Sequence, residues 1–459
     1  MEIAILTGEP SGDLAGASLA RALRELEPEV KLWGLGSRAM AEAGVELLGD
    51  SASWSAIGIV AALPKIPLLA LKIAPHLRKT LAHRRPDLVV FIDFGAFNVR
   101  IARYCRQIGL KTLYYIPPGC WRRTTTLRED LAHIVHGIAL PFPWGQERYR
   151  HGTARVFYVG HPLLDRVAPR TTRDVFAKSL GLDPHAPLIG LLPGSRLHEV
   201  NNLLPTLIES IPHIAREVPK AQFAVAVAPT LALESVQTLI ARHPIAHDRL
   251  AARRPDNVQE WAHRSKSLPK TLPQPALATQ GGALLGSPKL SQKEWRPQVA
   301  MPSSPPLVLT QGSTYDLMAH SDLLLVCSGT ATLEAAVLQT PMIVLYKVSK
   351  WMELEYRLRR MDKKVQEIKH IALPNILADR PIVPELIQWQ ATPQAIAERA
   401  VHLLTDLCAR KQMRQALLEV RNLLGEPGAS ARTARIALAL ACGKNDALPN
   451  ETTEEGPHA

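Results

Sequence analysis

What most constrains this chain is a series of short, uninterrupted apolar runs separated by helix-patterned stretches. Glu2–Thr7, Lys31–Leu35, Asp87–Asp93 (DLVVFID), Lys111–Ile116 and Ala154–Val159 read as strands, with helices predicted over Gly12–Leu26 and Phe97–Ile108. A strand with one wet face alternates apolar and polar residues. A strand that is apolar throughout is covered on both faces, which means a parallel sheet between helix layers. After a linker at Gly160–Asp165 (GHPLLD) the pattern restarts. Leu188–Leu192, Gln222–Ala228, Leu307–Thr310, Asp322–Val326 and Met342–Tyr346 are predicted strands. Helices are expected up to Val218, over Leu231–Arg242 and from the turn after Val326 to Leu338. The fold class is therefore α/β, with two doubly wound Rossmann-like domains at 1–165 and 166–425.

One segment departs from this pattern. Residues 246–306 hold nine prolines and no apolar period, and read as a disordered Pro-rich insertion in the second domain. Their nine Lys and Arg against four Asp and Glu supply +5 of a net charge of +12. The remaining +7 is ordinary for 459 residues, and no aromatic-basic stripe occurs elsewhere, so a nucleic-acid partner is not expected. Pro393–Cys442 is helical by pattern, with a final helix at 426–442, and 443–459 reads as a disordered tail. A hydrophobic content of 46% excludes a mostly disordered chain. Five cysteines without a CxxC pair imply neither a disulfide framework nor a zinc site, and point to a reducing cytoplasmic compartment. The opening MEIAILTGEPSGD reads as a first strand rather than a signal peptide.

In doubly wound sheets ligands bind beyond the carboxyl ends of strands. Four candidate turns lie there. Gly8, Glu9, Ser11, Gly12 and Asp13 join the first strand to the first helix. Small residues there let backbone approach a substrate, although Ser11 or Asp13 would serve equally as a helix cap. Asp93 ends a strongly apolar strand, as a general base or a cap, and Asn98 follows on the next helix, facing a sugar or the loop. Gly194, Ser195 and Arg196 follow the second domain's first strand, where a guanidinium beside backbone N–H groups suits a pyrophosphate. Ser328, Gly329 and Thr330 open another helix. Glu334, one turn in, is placed to accept ribose hydroxyls or to face the helix dipole.

In this order the motifs resemble the lipid-A-disaccharide synthase family. The likeness is carried by GEPSGD, FIDFGAFN, LLPGSR with Glu199, SDLLLVCSGTATLE and Leu373–Leu377 (LPNIL), and runs from Glu2 to about Leu440. It implies a GT-B glycosyltransferase with a cleft between its domains and a final helix crossing back to the first. Such an enzyme is inverting and needs neither metal nor cofactor. It transfers diacylglucosamine from UDP to 2,3-diacylglucosamine 1-phosphate, giving a β-1,6 disaccharide. By the same likeness Asp93 is the base and Arg196 the arginine near the pyrophosphate. Glu334 meets the ribose, and Asn375 belongs to the nucleotide pocket. Trp121 and Arg122 persist in an altered acceptor-side loop, Tyr115–Arg123, and Ala96 stands where the family has a second Asp.

These departures keep two alternatives in play: another GT-B reaction on a UDP-sugar, such as a UDP-N-acetylglucosamine 2-epimerase, and a non-catalytic UDP-sugar-binding paralogue. Ile57–Leu71 matches the family's apolar stretch that meets membrane and acyl chains, or else is a core helix pair. Met352–Met361 is a basic amphipathic helix, touching headgroups or merely solvated. With these, a peripheral location on an anionic inner-membrane surface is expected.

Overall fold

The computed structural model describes residues 1–51, 68–123, 131–149, 151–242, 250–252, 305–347 and 369–443. Two seven-stranded sheets organise the chain. The first contains β1 (Glu2–Leu6), β2 (Lys31–Gly36), β3 (Glu46–Asp50), β4 (Leu88–Ile92), β5 (Thr112–Tyr115), β6 (Gly137–Leu140) and β7 (Arg155–Tyr158), in the order β3-β2-β1-β4-β5-β6-β7. The second contains β8 (Leu188–Leu192), β9 (Gln222–Val227), β10 (Leu250–Ala252), β11 (Leu307–Gln311), β12 (Leu323–Cys327), β13 (Met342–Tyr346) and β14 (Glu385–Ile387), in the order β10-β11-β9-β8-β12-β13-β14. Strand pairs are parallel throughout, β1 with β4 and β8 with β12 included. The central strands are buried at every position, which is why they read as unbroken apolar runs. In each sheet the order reverses beside the first strand, between β1 and β4 and between β8 and β12. These two switch points are the natural ligand crevices.

Four strands are not apparent from the apolar pattern. β3 is a half-exposed edge, β6 has four residues, and β10 and β14 have three each. β10 corrects the start of the expected insertion, because Leu250–Ala252 pairs with Leu307–Leu309 as a sheet edge. Residues 253–304 lie outside the described residues, as do 57–67 of the apolar stretch, Met352–Met361 and the tail from 444.

The last helix, Ala429–Cys442, lies against the first domain. Ala434, Ile436, Ala437 and Leu440 are buried with Ile3, Ile5, Leu19 and Leu23 in one apolar cluster. Burying a side chain such as Ile436 or Leu440 contributes about 1.5–3 kcal/mol. Asp165, at the end of the linker turn, caps this helix by accepting the N–H groups of Gly428 (2.5 Å) and Ser430 (2.8 Å). The chain therefore crosses between sheets twice, near 165 and near 428, and the two crossings are hydrogen-bonded together.

Candidate active site

At the first switch point the chain leaves β4 through two consecutive non-glycine residues with left-handed backbone, Asp93 (φ 47°) and Phe94 (φ 50°). Such residues cost of order 1–3 kcal/mol each and persist only where surroundings dictate them. Here the Asp93 carbonyl accepts from the Tyr114 hydroxyl (2.7 Å) and from Asn98 Nδ2 (3.0 Å). The same amide nitrogen lies within reach of the Leu6 and Ile92 carbonyls at 3.2 and 3.3 Å, fastening the ends of β1 and β4 together. The Phe94 ring then fills the space over Gly8, where an added Cβ would lie 2.3 Å from the ring. Gly8 is thus required by close approach.

The Asp93 carboxyl is pushed up to about 6, first by burial and second by the charge of Glu9. Glu9 is itself raised by burial, opposed by the positive charge of Arg196 from the other domain. Two carboxylates therefore meet in this crevice, and an arginine acts on one of them, Glu9, across the cleft. An aspartate poised near 6 is ionised at neutral pH yet basic enough to take a proton.

At the second switch point Gly194 (φ 128°) leaves room for Glu199, whose Cβ and Oε2 would each lie 2.6 Å from an added Cβ. Glu199 Oε2 accepts the N–H groups of Ser195 (2.9 Å) and Arg196 (3.2 Å), and Oε1 accepts from Arg196 Nη1 (3.1 Å). The start of the Leu197–Glu217 helix is therefore filled by the chain's own carboxylate. This corrects the expectation that the Ser195 and Arg196 backbone donors are open to a pyrophosphate. What remains open is the Arg196 guanidinium beyond its one bond to Glu199. Ser328 is also engaged: its N–H donates to Leu345 O (2.9 Å) and its hydroxyl to Ile371 O (3.0 Å). The Thr330–Val337 helix begins beyond it, and the N–H groups of Gly329, Thr330 and Ala331 have no backbone acceptor among the described residues. Cys327, just before this turn, is pushed up to about 12 by burial and then by Glu199, with Arg196 opposing. The two turns of this sheet therefore converge.

Glu334 Oε1 accepts from Arg166 Nη2 (3.0 Å) and from the Tyr315 hydroxyl (3.2 Å). Oε2 has no hydrogen-bond partner among the described residues. Neither Arg166 nor Tyr315 carries a local sequence signal, since their partner lies 168 and 19 residues away.

Three expected contacts are corrected. Asp13 is 5% exposed and accepts from the N–H groups of Ser37 (2.6 Å), Ala39 (2.9 Å) and Met40 (3.3 Å), capping the Arg38–Glu42 helix instead of meeting substrate. Asn98 is 1% exposed, and its amide nitrogen is the fastener described above instead of a donor to a sugar; its Oδ1 is buried with no partner among the described residues. Asn375 is fully buried, and all its capacity is used. Nδ2 donates to Val383 O and Glu385 Oε1, and Oδ1 accepts from Ile382 N and Val383 N. It holds Glu385, which accepts from Ile371 N and Ala372 N, and so fixes the carbonyl that receives Ser328.

Gly12 is buried and Ser11 half-buried in the first turn of the Pro10–Leu26 helix. Trp121 packs against the second domain's core, and Arg122 is exposed. The loop bearing them is held by Arg148, which donates to the Gly119 and Arg122 carbonyls (3.0 and 2.7 Å). It is held also by Arg123, which lies over the Trp144 ring and donates to Leu377 O (3.1 Å) in the second domain.

Paired parallel sheets, switch-point crevices facing one another and a returning C-terminal helix define the GT-B class. Two solved structures share this fold across nearly their whole length: the Staphylococcus aureus MnaA–UDP complex (TM-score 0.57, 10% identity, 98% of this chain and 99% of that one) and Acinetobacter baumannii MurG (0.50, 12%, 95% and 99%). Within that class the chain belongs to the lipid-A-disaccharide synthetase family, whose model matches residues 3–253 and 296–439. It is 32% identical to the lipid-A-disaccharide synthase of Syntrophus aciditrophicus over 95% of this chain and 97% of that protein. It is accordingly a glycosyltransferase. The gap between the two matched stretches, 254–295, falls inside the Pro-rich segment.

Proposed function

We propose that the enzyme transfers 2,3-diacylglucosamine from its UDP conjugate to the 6-hydroxyl of 2,3-diacylglucosamine 1-phosphate, with inversion, releasing UDP. The observation that carries this is the opposition of the two crevices: a carboxyl poised near 6 on one side, and Arg196 acting on its neighbour Glu9 from the other.

In this reading Asp93 takes the acceptor hydroxyl proton as the oxygen attacks the anomeric carbon. The bond to the UDP oxygen breaks on the opposite face. Negative charge builds on the departing diphosphate, where Arg196 and the N–H groups of Gly329–Ala331 stabilise it. Glu334 Oε2 receives the ribose hydroxyls, and Trp121 and Arg122 border the acceptor.

The enzyme would work at the cytoplasmic face of the inner membrane, bound peripherally. Among the described residues no helix is long and apolar enough to cross a membrane. The described end of the apolar stretch leaves Leu71 75% exposed beside exposed Lys72, Arg78 and Lys79. An apolar residue among cations suits an anionic lipid surface.

The test is UDP release from UDP-2,3-diacylglucosamine with and without the acceptor phosphate, with soluble UDP-N-acetylglucosamine as control. Acceptor-dependent release with a disaccharide product is expected. Epimerisation of the soluble sugar, or UDP binding with no turnover, would overturn the reading.

A further inference from the structure

The linker turn carries a residue whose surroundings go beyond structural support. Arg166 follows the 3-10 turn Pro162–Asp165, where the chain passes from the first sheet to the second. Its ion pair with Glu334 leaves the two side chains only 15% and 13% exposed. Its Nε–H is buried and has no acceptor among the described residues. Nε is closed off from any ligand, so what the pair leaves to offer is one acceptor, Glu334 Oε2. A hydroxyl group can donate to such an oxygen.

The segment around Arg166 is pinned on both sides. Asp165 grips the returning helix. Asp316, next to Tyr315, accepts from the N–H groups of Arg170 (2.9 Å) and Thr171 (2.8 Å) and from the Thr171 hydroxyl (2.8 Å). Both residues that hold Glu334 Oε1 are thus anchored in the interdomain crossing or in the helix fastened to it. A carboxylate so held is oriented before ligand arrives, which reduces the ordering cost of binding.

We infer that Arg166 is a positioning residue for the nucleotide: it fixes Glu334 so that Oε2 takes the ribose diol, and the crossing between the domains thereby reads the sugar of the donor. This rests on the assignment of the ribose to Glu334.

The experiment measures binding of UDP and of 2′,3′-dideoxy-UDP, which lacks the diol, to the full-length protein and to Arg166→Gln and Arg166→Lys, by calorimetry. In the wild type UDP should bind more tightly than the dideoxy analogue. Arg166→Gln should weaken UDP by about tenfold or more while leaving the analogue unchanged, and Lys should restore part of the difference. Equal weakening of both ligands, or unchanged UDP affinity, would overturn the inference and leave Arg166 as structural support. A wild type that does not distinguish the two ligands would instead remove the ribose assignment on which it rests. Should Arg166→Gln fail to fold, Tyr315→Phe carries the same test. A smaller loss of diol selectivity supports the inference, and unaltered selectivity rejects it.

Discussion

Where β4 ends, left-handed backbone falls on Asp93 and Phe94, and the carboxyl left there has little to bind. Where β8 ends, it falls on Gly194, and the carboxylate there, Glu199, is fully occupied by Arg196 and two backbone N–H groups. The topology is the same on both sides, but the electrostatics differ. The first crevice keeps carboxylates short of partners, and burial raises them. The second pairs Glu199 with Arg196 and Glu334 with Arg166. A group that must accept a proton gains from being under-solvated. Groups that must receive a diphosphate gain from being held in place until it arrives. In the proposed reaction, the difference between the crevices is a division between proton transfer and leaving-group stabilisation.

The largest test of that division is Asp93→Asn. Turnover should fall by about 10²–10⁴, the usual contribution of a general base, with UDP affinity unchanged. The same change should stabilise the fold. A folded-state value of about 6 against an ordinary 3.8 means the ionised group is disfavoured in the native state. Its contribution to stability is full below 3.8 and is lost as pH rises through 6. At pH 7 the Asn variant should therefore be more stable by about 1–3 kcal/mol, the gap closing toward pH 4 in urea titrations. Loss of both activity and stability would make Asp93 a structural residue and end the comparison.

Next in size is Arg196→Gln. Removing a charge donor from the leaving group should lower kcat by about 10²–10³. In contrast to Asp93→Asn, UDP affinity should fall as well. If the two variants give the same pattern, the crevices do not divide the chemistry.

The acid limb of kcat/KM offers a finer test. It should reflect the Asp93 ionisation, with activity rising from pH 5 to a plateau above 7. Because Glu9 raises Asp93, Glu9→Gln should move that limb to lower pH. A limb that does not move would show that Glu9 does not act on the base. A limb that moves upward would mean Glu9 serves the base through hydrogen bonding rather than charge.

Much of this was legible in the sequence because parallel strands write themselves as apolar runs, and the turns that follow them are where doubly wound sheets bind ligands. The runs ending at Thr7, Asp93, Leu192 and Val326 lead directly to both crevices. Roles set by distant partners were not legible. Asn98 reaches carbonyls of residues 6, 92 and 93. Asn375 serves residues 382–385, and Arg166 meets a partner 168 residues on. A motif shows that an amide is needed, but not whether it faces a ligand or the backbone. Short strands such as β10 and β14 were missed because three residues carry no period.

The smallest effect concerns Asp13, the carboxylate nearest in sequence to the first crevice that does not belong to it. Its oxygens accept three N–H groups at the start of the Arg38–Glu42 helix. Asp13→Ala should therefore cost about 1 kcal/mol in urea unfolding, the usual price of a lost cap. At saturating substrate kcat should stay within about twofold of wild type, since surface and cap losses of that size leave most molecules folded. A large fall in kcat with unchanged stability would bring a third carboxylate into the crevice. The like-charge repulsion assigned to Glu9 would then be shared with Asp13, and the acid limb in Glu9→Gln would move by less than it does when both residues are neutralised.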